Sequence, residues 1–108
     1  MVLKPVHIVL LFGTLLALAL PACQDNDYSG KDGKVDGSKV YASNCVSCHG
    51  EAGDAGAGGA KNLKVSTMSR AEVIAIVTQG KGAMMPFSSL LNEAEREAVA
   101  DYVISLRD

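Results

Sequence analysis

The 108-residue chain has no tryptophan, and aromatic residues make up only 5% of it. A small domain with so few large side chains has a lean core. Such domains depend on disulfides, a metal or a large cofactor to stay folded. There are only 3 Cys and 2 His, so their placement matters more than their number. Positive charge is not in excess: the formal net charge is -2, which argues against the basic face that nucleic-acid binding needs. The main apolar run, Val6 to Leu20, falls short of the roughly 20 residues that span a bilayer as a helix. No segment alternates apolar and polar residues with period two, and there is no internal repeat. The expected fold class is therefore all-α.

Lys4 precedes the apolar run, and Leu20-Pro21-Ala22-Cys23 follows it. A positive start, a short apolar stretch and a small-residue cleavage region read as an export signal over residues 1–22. Leu20 to Cys23 resembles the bacterial lipobox, although Pro21 stands where a smaller residue is usual. The resemblance implies a lipidated Cys23 as first mature residue, and Gln24 after it implies outer-membrane sorting. Ordinary cleavage after Ala19 or Ala22, giving a soluble periplasmic protein with a free Cys23 thiol, is the alternative.

Residues 23–37 are polar, charged and glycine-bearing. They lack a periodic apolar face and read as a flexible tether, with Tyr28 exposed. Residues 38–108 are expected to form the folded domain. A first helix is expected from Ser38, as N-cap, to about Val46. Gly50 to Ala60 is too rich in glycine for a helix. Ser69-Arg70-Ala71-Glu72 and Asn92-Glu93-Ala94-Glu95 both have capping-box spacing and open two further helices. Gly80 is expected to end the first of these in the left-handed conformation. In the last helix Ala98, Val99, Tyr102, Val103 and Leu106 share a face, and Glu93, Glu95 and Glu97 suit its positive end.

Cys45-Val46-Ser47-Cys48-His49 is the pattern for c-type haem attachment. Two thiols three residues apart can each add to one vinyl group of haem, and the following histidine is placed to ligate the iron. A structural zinc site needs four N/S ligands, and apart from Cys23 only these three remain once the signal is removed. A thiol–disulfide oxidoreductase would place Cys-x-x-Cys at a strand-to-helix junction, and no strand is expected. His7 lies in the signal, so His49 is the one imidazole of the mature chain. The sixth iron ligand is then Met, Lys, a terminal amine or nothing. Met68, Met84 and Met85 are available, of which Met68 reads as a core side chain.

Gly37-Ser38-Lys39-Val40-Tyr41, the pentapeptide with Gly50, Gly80-Lys81-Gly82-Ala83-Met84 and Tyr102-Val103 together resemble the small class I cytochromes c over nearly all of residues 37–108. The resemblance implies a cytochrome c fold of three to five helices around one covalent haem c, held by Cys45 and Cys48. It implies an electron carrier of the bacterial cell envelope rather than an enzyme, with redox proteins of a respiratory or photosynthetic chain as partners and the membrane reached through Cys23. A five-coordinate haem enzyme or gas sensor is the competing class. The resemblance also implies that Gly37 lets the first helix cross the last near Tyr102, with His49 and a methionine as axial ligands. The spacings from Gly80 and to Phe87, Leu91 and Tyr102 favour Met84. The family's usual Met-Pro order points instead to Met85, the alternative. The family often has a proline whose carbonyl accepts the imidazole hydrogen bond. Here a backbone carbonyl near Ala60 is expected to replace it.

Overall fold

A computed structural model describes residues 26–108. The expected signal over 1–22 and the expected lipid site at Cys23 lie outside these residues. The chain forms four α-helices: α1 (Gly37–Asn44), α2 (Val46–His49), α3 (Arg70–Gln79) and α4 (Glu93–Ser105), with a single 3-10 turn at Ala57–Gly59. Among the described residues there is no strand, only two isolated bridges, and no helix is long and apolar enough to cross a membrane.

Local chemistry sets the helix limits. Ser69 opens α3 and Asn92 opens α4, each with the reciprocal capping box that their Glu72 and Glu95 complete. Each box satisfies two backbone donors that the helix start would otherwise leave bare. At α1 the cap is Asp36 rather than Ser38. The Asp36 carboxylate accepts from the Ser38 backbone N–H at 2.9 Å and from its hydroxyl at 2.6 Å, which turns the expected cap into the cap's donor. The Ser38 hydroxyl holds the Asp36 carboxyl below the usual carboxylate range. Helix α1 stops at Asn44, short of Val46, because the backbone turns at Cys45 before α2 begins.

Helix α1 crosses α4 at Gly37. A Cβ built there would lie 2.7 Å from the Ala98 carbonyl carbon and 3.1 Å from the Tyr102 Cβ, and would run into the Ala98 carbonyl oxygen. Beside the crossing, the Tyr41 and Tyr102 rings pack at 5.1 Å between centroids, tilted by 53°. Helix α3 also lies against α4, where Arg70 donates to both carboxylate oxygens of Asp101 at 2.6 and 3.1 Å. This pair is solvent-exposed and is worth about 1 kcal/mol at most.

The core is small: Val40 and Tyr41 from α1, Val73 and Val77 from α3, Val99, Ala100 and Val103 from α4, with Phe87 and Leu91 from the loop between α3 and α4. Tyr28 joins it, only 7% exposed, which corrects the expectation of an exposed ring. Its backbone carbonyl accepts from Asp36 N–H at 2.7 Å, closing a hairpin-like loop whose Gly30 N–H donates to the Lys34 carbonyl at 2.6 Å. Asn44 Nδ2 donates to the Tyr28 hydroxyl at 3.0 Å, and Lys39 Nζ donates to the Ser29 carbonyl at 2.6 Å. One aromatic ring and its hydrogen-bonded hydroxyl thus draw a polar segment onto the domain.

Tyr41 is 2% exposed, and its hydroxyl donates to the Gly50 carbonyl at 2.7 Å. Burial, reinforced by neighbouring Cys45 and Tyr102, pushes its pKa up to about 12 from an ordinary value of 10.0. A group whose folded pKa is raised stabilises the fold fully below its unfolded pKa. Its contribution is lost as pH rises from 10 through about 12. Denaturant unfolding at stepped pH should show this loss, and Tyr41→Phe should flatten it while removing about 1 kcal/mol at neutral pH.

Candidate functional site

The pentapeptide folds as the end of α1's turn and the short helix α2. Cys45 N–H donates to the Tyr41 carbonyl at 2.8 Å, and His49 N–H donates to the Cys45 carbonyl at 2.9 Å. This continuous turn gives the two thiols different surroundings. Cys45 is partly buried against the core, and burial, with nearby Cys48 adding to it, pushes its thiol pKa up to about 11. Cys48 is exposed, and no disulfide joins it to Cys45. Among the described residues no three His, Cys, Asp or Glu side chains converge on a point that would hold a bare metal ion. The donor set instead suits a flat macrocycle that is bonded at its edge.

The His49 ring is fixed from behind. Its Nδ1 lies 3.0 Å from the Lys61 carbonyl oxygen. An N–H on Nδ1 donates there, which leaves Nε2 as the lone-pair nitrogen facing a ligand. The sequence pointed to a carbonyl near Ala60; the acceptor is the next residue along. The Gly50–Leu63 loop carries that carbonyl back through Leu63 N–H donating to Gly53 at 2.7 Å and Ala55 N–H donating to His49 at 3.0 Å.

The second methionine-bearing wall is equally constrained. Gly80 stops α3 with φ 71 and ψ 171: φ is positive, as expected of a glycine helix stop, but ψ is not that of the left-handed helix. Contact also requires glycine here: a Cβ on Gly80 would sit 2.5 Å from the Met84 carbonyl oxygen and 2.7 Å from the Pro86 nitrogen. Lys81 and Met84 exchange both backbone hydrogen bonds at 3.0 Å, and Phe87 N–H donates to the Val77 carbonyl at 2.9 Å. The turn is thereby pinned to the end of α3. Met84 is partly buried against the core, whereas Met85 is 53% exposed. Met68, read from sequence as a core side chain, also packs against the core.

Val73, Val77, Phe87, Val99 and Val103 are buried as expected, and Ile74 is partly buried beside them. Leu63 and Leu106 also pack there. No buried polar or charged residue interrupts this surface among the described residues. Two thiols, one oriented imidazole and an apolar wall carrying a thioether fit a covalently held haem.

Comparison with known proteins agrees. Residues 34–103 match the family described as cytochrome C oxidase, cbb3-type, subunit III. The chain is 36% identical over 74 residues to cytochrome c6 of Leptolyngbya boryana, covering 63% of this chain and 86% of that one. It is 40% identical over 76 residues to cytochrome c6 of Microcystis aeruginosa, covering 65% and 93%. Its fold superposes on that of the KustC0563 c-type cytochrome with a TM-score of 0.61 and 27% identity, covering 68% of this chain and all of that one. The chain belongs to the class I cytochrome c family and is a haem c electron carrier.

Proposed function

We propose that Cys45 and Cys48 would bind the haem through thioether bonds, that His49 Nε2 and the Met84 sulfur would ligate its iron, and that the protein passes single electrons without catalysing a reaction. When bound, the haem supplies a one-electron iron couple. The observation that carries the reading is the fixed His49 ring, backed by the Lys61 carbonyl. Supporting it are the adjacent Cys45 and Cys48, which no disulfide joins, and a turn that packs Met84 inward and leaves Met85 outside.

The chain's residues do three things in this scheme. The Lys61 carbonyl keeps the imidazole in one tautomer and one orientation, so no ring rotation accompanies electron transfer. The paired backbone bonds of Lys81 and Met84 hold the thioether wall steady. The valines of α3 and α4 exclude water and disfavour added charge, and a methionine ligand raises the potential further. Exposed Cys48 marks the edge at which a partner approaches. Residues 1–22 act as an export signal and Cys23 as a lipid anchor in this reading, so the domain works in a bacterial cell envelope. Its partners are redox proteins of a respiratory or photosynthetic chain.

The test is a redox titration of the purified holoprotein with carbon monoxide added to the reduced form. The expected result is a one-electron Nernst curve and a spectrum unchanged by the gas. Rapid carbon monoxide binding would assign the protein to the five-coordinate sensors or enzymes instead.

A further inference from the structure

The burial of Tyr28 changes how far the domain stands from its proposed anchor. Had residues 24–37 been a free leash, 14 steps of chain would separate Cys23 from the fold, a reach of roughly 50 Å when extended. Tyr28 is 7% exposed in the core, and its hydroxyl accepts from Asn44. Only four residues then stand between it and Cys23, a reach of about 17 Å from Cys23 to Tyr28. The loop behind it is closed by Asp36 donating to Tyr28 and Gly30 donating to Lys34, and Lys39 clasps the Ser29 carbonyl from α1.

The exit point also has a defined neighbourhood. Asn26 and Tyr28 line a shallow cleft with Ser88, Ser89 and Leu90. Leu90 is 57% exposed. A single exposed leucine is ordinary on any surface. This one shares its cleft with Glu95, and exposed Asp27 sits between the lining residues Asn26 and Tyr28, so the burial of Tyr28 sets a distance from Cys23 and not an apolar docking face.

We infer that Tyr28 is a latch that holds the haem domain close to the lipid surface carrying the acylated Cys23. The domain then exchanges electrons with proteins of that same membrane and does not range across the compartment on a long tether. This rests on the anchor reading above and adds the distance.

The test uses the full, acylated holoprotein in vesicles that contain a headgroup-labelled fluorescent lipid, quenched by energy transfer to the haem. The expected result is strong quenching by the native chain. A variant with 20 Gly and Ser residues inserted after Gln24 should quench at least about twofold less, because a flexible insert of that length adds roughly 25 Å. In the same vesicles, trypsin should free the coloured domain at Lys31 or Lys34 slowly. It should free it at least about tenfold faster from Tyr28→Gly, in which the loop opens locally. Equal quenching by native and inserted chains, or equal release from native and Tyr28→Gly, overturns the latch. A mature chain whose mass shows no acyl group on Cys23 overturns the anchor reading and the latch's role with it. An acylated chain that fails either comparison overturns the latch alone.

Discussion

Gly37→Ala is expected to lower the stability of the holoprotein by about 3 kcal/mol, the upper end of what overpacking costs. The added methyl meets backbone, the Ala98 carbonyl, rather than a side chain that could swing away. Relief requires α1 to move off α4, and that movement loosens the Tyr41–Tyr102 contact and the packing of Val40 and Val99, both fully buried. For a domain this small, 3 kcal/mol corresponds to a melting temperature lower by roughly 10–20 °C. Since total stabilities run to about 5–15 kcal/mol, the larger Gly37→Val should prevent accumulation of folded holoprotein. Thermal melts followed in the haem absorption check both. A melting temperature within a few degrees of the native value for Gly37→Ala would mean that the helices do not cross at this point.

Met84→Ala should remove the long-wavelength thioether-to-iron band of the oxidised protein and lower the midpoint potential by on the order of 100 mV, a fraction of the range that axial ligands govern. Met85→Ala should change neither. Met84 lies at the closing residue of a turn whose backbone it shares reciprocally with Lys81, and it packs inward. Met85, next to Pro86, faces out at 53% exposure. A reversed pair of outcomes would show that the Met-Pro order, rather than the spacing from Gly80, selects the ligand. Optical spectra and potentiometry of the two variants are sufficient.

The parts of this protein that the sequence made legible are those written within a few residues of each other. The capping boxes at Ser69 and Asn92 each need only a side chain and a backbone group three residues apart, and both formed where expected. The pentapeptide at 45–49 is equally local. Asp36 and Ser38 are both good caps two residues apart, and composition cannot rank them; the carboxylate prevails because it accepts two hydrogen bonds from its rival. Gly80 was legible as a helix stop with positive φ, but the close approach of Met84 and Pro86 from the following loop, which leaves no room for a Cβ, was not. Tyr28 was misread for the same reason at longer range. Its partner Asn44 lies 16 residues away, and nothing in a polar, glycine-bearing stretch signals that its one ring has a place in the core. The carbonyl behind His49 was legible to within one residue: an oriented acceptor was expected near Ala60, and Lys61 supplies it.

The thinness of the core explains why the cofactor is also structural. Ten residues make up the buried hydrophobic cluster, and six of them are valine or alanine. A haem-free chain should accordingly give a circular dichroism spectrum with little helix and no cooperative melt. Cys45→Ser with Cys48→Ser should behave the same way, since haem that is not covalently held is lost from so small a fold.

The most direct test of the whole account is the mass of the proteolytic peptide that contains residues 45–49, taken from protein matured with a working haem-attachment system. The expected product is a coloured peptide heavier by one haem, with neither Cys45 nor Cys48 open to alkylation. A colourless peptide of unmodified mass, with both thiols alkylated, would contradict it.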